Sequence, residues 1–429
     1  MGMRESQAVT NDEWPAGAGR TLPTAHAGTV TAELVRSEDQ FLRLGPEWDD
    51  LFRRSGSANP FLRFEWLVTW WQQWGRRATL SVILVRDRAG RLVAVAPCQI
   101  APSGAADFRA NALCWLANTF SGSDYLTVVA EPGWEEPAAQ TIASELIRHR
   151  SEWDYIEWDH TLENDPVMRA LRKALRAAGC REMVMPRNVC PYAELPRTFA
   201  AYLKTLSHNV RYNFRRRLKA LQKEGPLALA VLRRPEEIEA RFADLVRLHG
   251  SRFTSQDKTS TFLAPDVQTF HRKTLKACSD ASIPRLFLLE LRGAPVAALY
   301  GFSMGTRFLF FQAGIDPQWS RLSVGLVMMG SVIEQAIKDG HTEFDFLRGE
   351  EAYKFQWATG VRTTSLIRFF DDRPLSRWVH AHRRIRRELG RLKAAVMGLG
   401  AFRRDAPGAA KRDTHTEERG GAGRMASES

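Results

Sequence analysis

The stretch FDFLRGEEAYKFQW, residues 344–357, gathers side chains suited to proton transfer and anion binding. Around Gly349 it packs an Arg, two Glu and a Lys, namely Arg348, Glu350, Glu351 and Lys354, with Asp345 before them and Tyr353 among them. Phe344 and Phe346 alternate with Asp345, so in a strand the carboxylate faces the side opposite the rings. Gly349 then lets the backbone turn or approach a ligand closely. The carboxyl end of a core strand is the edge where α/β sheets bind ligands. Spacing alone leaves a simpler reading open beside this one: a solvated turn with a Glu350–Lys354 pair, worth a few tenths of a kcal/mol.

A second candidate is RLSVGL, residues 321–326, which precedes the apolar run LVMMGSVIEQAIKDG. Ser323 is expected to cap a helix that Gly340 ends. Unpaired amides and the partial positive charge of a helix N-terminus, joined by Arg321, suit a diphosphate, although most such termini meet only water. Other chemistries find no support. His208, His249 and His271 stand alone without ligand-like spacing, so no metal site is expected, and GxSxG is absent.

These residues need strands and a helix to hold them. TLSVILVRDRAGRLVAVAPCQI reads as two strands around an Asp/Gly turn, DYLTVVA as a third, 134–150 as a helix and WDYIEWDH as a strand. RLFLLELRGAPVAALYGFS, RFLFFQAG, 323–338 and EFDFLRG repeat that order about two hundred residues later, which points to a duplicated α/β unit. The second unit adds Gly-Glu-Glu and Tyr-Lys after its last strand, where WDYIEWDH ends in Asp159 and His160. Between the units, Leu203, Leu206, Val210, Phe214, Leu218 and Leu221 form one apolar face of a long helix whose other faces carry Arg and Lys. Gly225 and Pro226 stop it.

The expected organisation is therefore a disordered start at 1–28, an N-terminal module at 29–195, a basic linking helix at 196–226, a C-terminal module at 227–375, a basic helix at 376–402 and a disordered tail at 403–429. The net charge of +12 calls for an acidic partner: a phosphorylated cosubstrate, a nucleic acid or an anionic membrane surface. Five scattered cysteines without a CxxC pair, and a start without an apolar signal segment, fit a cytoplasmic protein. The four tryptophans of FEWLVTWWQQW suggest core or interface packing, with a groove for a sugar or peptide as the alternative.

YGF, FFQAGIDPQWSRLSVGLVMM and FDFLRGEEAYKFQW, within 282–358, resemble the GNAT-type acetyltransferase domain of the BioF2-like/CelD group, relatives of the FemAB transferases. NPFLRFEWLVTWWQQWG (59–75) and LSHNVRYNFRRRLKAL (206–221) resemble that group's aromatic and basic helices, so the likeness runs from about 30 to 370. It implies tandem GNAT-like modules, the first degenerate, and transfer of an acyl group from acetyl-CoA or another acyl-CoA to an amine without a metal. It further implies that Arg321, Ser323, Val324, Gly325 and Leu326 hold the diphosphate, with Lys354 as a further anion contact. An amide near Gln312, Ala313 and Gly314 would stabilise the oxyanion, and Asp345, Glu350 and Tyr353 would be the acid–base candidates. The family's R/Q-x-x-G-x-G/A loop is changed here, since RLSVGL has its single glycine at 325. An aminoacyl-tRNA donor, as in FemAB relatives, and a non-enzymatic role therefore stay as alternatives.

Overall fold

A computed structural model describes residues 30–103, 110–278, 280 and 283–373. These lie within one compact unit. The expected segments 1–28, 376–402 and 403–429 lie outside the described residues.

The first half runs β1 (Thr31–Val35), α1 (Glu38–Arg43), α2 (Gly45–Ser55), α3 (Phe64–Trp74), β2 (Thr79–Arg86), β3 (Leu92–Ser103), β4 (Ala110–Trp115), β5 (Val129–Ala130), α4 (Glu135–Arg148), β6 (Tyr155–Leu162), α5 (Pro166–Ala177) and β7 (Arg181–Glu194). After α6 (Phe199–Thr205) and α7 (His208–Glu224), the second half runs β8 (Leu227–Leu232), α8 (Pro235–Thr254), α9 (Pro265–Ala277), β9 (Pro284–Leu291), β10 (Ala294–Met304), β11 (Arg307–Ile315), α10 (Val324–Lys338), β12 (Glu343–Asp345), α11 (Ala352–Phe355) and β13 (Gly360–Phe370). The hairpins form where expected, because Gly90 and Gly293 supply the left-handed turn residues at φ 80° and 79°.

One mixed sheet carries both halves, in the order β1-β2-β3-β4-β6-β13-β7-β12-β11-β10-β9-β8, with β5 beside β3. That order is a palindrome about the β13–β7 boundary. The two parallel pairings, β4 with β6 and β11 with β12, are counterparts in it. Each half sends its last strand across the middle: β13 pairs with β6, and β7 pairs with β12. The mixed α/β sheet flanked by helices and the repeated strand order agree with the fold class expected from the sequence.

Three expectations need correction. The linking helix is two helices: Ser207 caps α7 by accepting from the Val210 amide, while Arg211 Nη1 donates to the carbonyls of Lys204 and Leu206 at 3.1 and 2.9 Å and ends α6. In DYLTVVA only Val129–Ala130 is strand, because Leu126 bonds instead to the end of β6, its amide donating to His160 O. In EFDFLRG the strand stops at Asp345, and the chain turns through Leu347 at φ 53°.

Trp66, Trp70 and Trp71 are buried. Trp66 meets Phe270, Phe302 and Phe311 of the second half edge-on, with ring centres 4.9–6.1 Å apart, so α3 is interface packing as the packing reading expected. Among the described residues no helix is long and apolar enough to cross a membrane.

Candidate active site

The site begins where β11 leaves β12. Their parallel pairing is confined to Arg307–Leu309 against Glu343–Asp345. Beyond it β11 continues to Ile315 beside β10 while residues after Asp345 bond to β7, Phe346 N to Pro191 O and Gly349 N to Val189 O, both at 3.0 Å. The two chains separate into a notch. Gly314 is fixed there by close packing, since a Cβ on it would stand 2.2 Å from the His249 amide nitrogen of α8. Ala313 is anchored beside it, its carbonyl 2.9 Å from His249 Nδ1.

From β11 the chain passes to the start of α10. Ser323 adopts a left-handed conformation at φ 53° and occupies the cap position, but its side chain makes no capping bond, contrary to expectation. The Leu326 amide is used locally, donating to Ser323 O at 2.9 Å. Val324 and Gly325, at the first two helical positions, have no backbone partner for their amides among the described residues. Arg321 is exposed, and its carbonyl accepts from Arg217 Nη1 of α7 at 2.8 Å. Two arginines and two amides thus lie together, with the Glu224 carboxylate 3.9 Å from Arg321 Nη2, an arrangement that could take a diphosphate in place of that carboxylate. Phe214 of α7 packs on Gly330 of α10 and sets the two helices close together.

The residues after β12 form a second group. Lys354 is buried, its Nζ donating to Arg348 O at 2.6 Å and pairing with Glu351 Oε2 at 3.1 Å, 6.0 Å from the centre of the Phe310 ring at the notch. Glu350 is exposed. Tyr353 lies under the Arg252 guanidinium, and burial pushes its phenol up to about 12. Asp345 is wholly buried: Oδ1 accepts from Tyr125 Oη at 3.0 Å and from the Leu347 amide at 2.7 Å, and Oδ2 from Arg362 Nη1 at 2.9 Å. Burial pushes its carboxyl up to about 6 against the opposing pull of Arg362. Arg362 also pairs with Glu343 and lies over the Tyr192 ring at 3.9 Å.

Sequence reasoning missed the partners that the palindrome brings in. Arg348 Nη1 reaches Ser123 O at 3.0 Å, Asp124 Oδ1 at 3.2 Å and the His160 ring at 3.0 Å. Asn188 of β7 donates to His160 Nδ1 at 3.0 Å. Burial, then the Arg348 charge, lowers His160 to about 4, so the ring is neutral at pH 7. His160 sits at φ 57° where β6 carries an extra residue opposite β13, and Leu347 sits at φ 53° just past β12. A left-handed kink thus lies within β6, which resumes pairing at Thr161 and Leu162, and another lies just past the end of β12. The available signal was the paired strand ends, WDH and FDFLR, at matching places of the repeat.

In the first half the matching notch is filled. Thr161 Oγ1 of β6 donates to Leu126 O at 3.0 Å and accepts from Trp115 Nε1 at 3.0 Å, and Trp115 stacks on Trp158 with centroids 5.0 Å apart. Among the described residues no group of three or more His, Cys, Asp or Glu could hold a metal ion.

Residues 208–355 match the family model described as an acetyltransferase (GNAT) domain. No curated protein matches the chain. Among solved structures, FemX superposes with a TM-score of 0.53 at 12% identity, covering 81% of this chain and 99% of FemX. The L-PGS structure from Bacillus licheniformis gives 0.47 at 10% identity, covering 79% of this chain and 95% of its own. A tandem GNAT protein from the clavulanic acid biosynthesis pathway gives 0.43 at 12%, covering 81% and 99%. At such identities the FemX likeness is one of fold.

Proposed function

We propose that this chain is an N-acyltransferase that moves an acyl group, acetyl in the simplest case, from a CoA thioester to an amine. The observation that carries this reading is the notch between β11 and β12, which leads directly to the amide-bearing start of α10. The pantetheine would run through the notch, and its diphosphate would lie on the Val324 and Gly325 amides beside Arg321 and Arg217, with Ser323 and Leu326 completing the turn. The amine nitrogen attacks the thioester carbonyl, an amide bond forms, the C–S bond breaks and the thiolate takes a proton. An amide of Gln312–Gly314 would face the developing oxyanion. Glu350, exposed just past the turn that follows β12, is our choice for receiving the amine's proton, and Tyr353, protonated at neutral pH, for supplying the thiolate. Lys354 would anchor an anionic group of a substrate. The filled notch of the first half supports a non-binding role for that half, which would shape the acceptor cleft. An amine on a polysaccharide or envelope precursor is our choice of acceptor, resting on sequence resemblance alone. All five cysteines are free thiols, in keeping with a cytoplasmic place of work.

Titrating the protein with acetyl-CoA while following the unfolding temperature tests the donor. We expect a rise of several degrees that Arg321→Ala reduces, and acylated amines by mass detection; no shift with any CoA thioester sinks the reading. A second reading has one specific observation behind it. The outward side of α7 carries Arg215, Arg216, Lys219 and Lys223 with no acidic partner among the described residues, and it adjoins the start of α10 through Arg217. A longer polyanionic donor such as aminoacyl-tRNA would use that ridge. Stabilisation by charged tRNA, without any by acetyl-CoA, would favour it.

A further inference from the structure

The Asp345 carboxylate has the right chemistry for a base and the wrong surroundings. A base must reach the proton it removes, within one hydrogen bond or one water of the bound amine. Asp345 is completely covered, and both oxygens are already engaged, Oδ1 by Tyr125 and the Leu347 amide, Oδ2 by Arg362. The two groups sharing Oδ1 have something else in common. Tyr125 and Leu347 both hold left-handed backbone, at φ 58° and 53°, which bulky residues keep only where their surroundings over-determine it. One comes from each half of the chain, both from connections between secondary-structure elements.

We propose that Asp345 and Tyr125 are positioning residues: together they hold the turn 346–349 against loop 118–125, so that the N-terminal half completes the transfer site of the C-terminal half. This rests on the transfer reading given above. Residue 348 continues the same brace. Its amide donates to Asp124 Oδ2 at 3.4 Å and its guanidinium to Ser123 O and Asp124 Oδ1, while its carbonyl receives Lys354 Nζ at 2.6 Å. A shift of the turn therefore moves Lys354, which stands beside the notch. Gly349 tightens the coupling, because a Cβ there would lie 2.1 Å from Glu351 Oε2 and 2.7 Å from Lys354 Nζ. Arg362 offsets the buried charge of Asp345 and so lets an ionised carboxylate serve as a fixed acceptor rather than a moving proton carrier.

Two measurements on the full chain decide this, using Tyr125→Phe, which removes a single donor from a buried ring, and Asp345→Asn. The first is trace acetylation of lysines with acetic anhydride, read residue by residue by mass spectrometry. Lys354 is expected to be protected in the parent and to label at least three-fold faster in both variants; unchanged labelling overturns the proposal whether or not transfer is detected. The second is steady-state turnover with the thioester that stabilises the protein. Tyr125→Phe is expected to lower kcat about ten-fold, with KM for the thioester within two-fold. If Asp345→Asn abolishes turnover while Tyr125→Phe leaves kcat unchanged, Asp345 is the base and the proposal fails. Should Asp345→Asn not fold, Tyr125→Phe alone decides both measurements. A parent inactive with every thioester sinks the transfer reading, and the labelling still judges the brace.

Discussion

His271 sits among the rings of Trp66, Phe262, Phe270, Tyr300 and Phe311, with centroids 5.2–5.9 Å away and neither ring nitrogen hydrogen-bonded among the described residues. Burial lowers it to about 3, and His160 and His249 are lowered to about 4. A histidine depressed in the folded state binds its proton more readily when unfolded, so it favours folding above its unfolded value near 6.5 and loses that contribution as pH falls toward 3 or 4. Each can add a slope of up to ~1.4 kcal/mol per pH unit. Asp345 and Asp165, both raised to about 6 chiefly by burial, act in the opposite sense between their unfolded value of 3.8 and 6. His341 is lowered as well, chiefly by burial, and Asp49 is raised, so four depressed histidines against three raised aspartates leave a net loss of stability on acidification below pH 6.5. His271→Leu should flatten that loss in urea midpoints measured at pH 7 and pH 5. It should cost little at pH 7, because it also removes buried polar atoms worth ~1–3 kcal/mol when unpaired. An equal drop in the parent and the variant would contradict this.

Among the elements, the contact of α7 with α10 depends on a missing side chain. A Cβ at Gly330 would stand 2.3 Å from the Phe214 ring, and Phe214 is itself buried. Gly330→Ala is expected to cost ~1–3 kcal/mol by overpacking, more than the gain in helix propensity returns. Phe214→Leu should recover part of that loss in the double variant, whereas additive losses would show that the ring has room to move. The helix and its apolar face were legible because 3.6-residue periodicity is local; its break at Ser207 was hidden, since a serine cap looks the same as a serine on a polar face. β7 and β13 were not legible as the centre of the sheet. Pro186 and Pro191 interrupt the pattern of β7, which accommodates Pro186 beside a register shift opposite β13, and no local signal says which strand GVRTTSLIRFF joins. The site was half legible for the same reason. Asp345, Tyr353 and Lys354 lie in one short stretch, but Tyr125, Asp124, His160 and Arg362 arrive from other strands and loops. The two arginines of the β13 segment were the hint that acids waited opposite: Arg362 pairs with Glu343 and Asp345, and Arg368 with Glu157.

At the scale of the molecule, the crossed strands make the halves interdependent. Without β13, β6 loses its partner on one side, and without β7, β12 loses one of its two neighbours. Fragments 30–226 and 227–373 are therefore expected not to fold cooperatively alone and to regain slow amide exchange when mixed. A cooperative unfolding transition in either isolated fragment would refute this.

The same crossing has a consequence for biosynthesis. β13 leaves the ribosome about 165 residues after β7, yet it must lie between β7 and β6. At roughly 5–20 residues per second that delay is on the order of ten to thirty seconds. Throughout it the nascent chain carries β6 and β7 with edges that only a later segment can cover, so the central pairing forms late. Protection of those edges during synthesis becomes a requirement for yield that the finished sheet, with its middle fully paired, no longer displays.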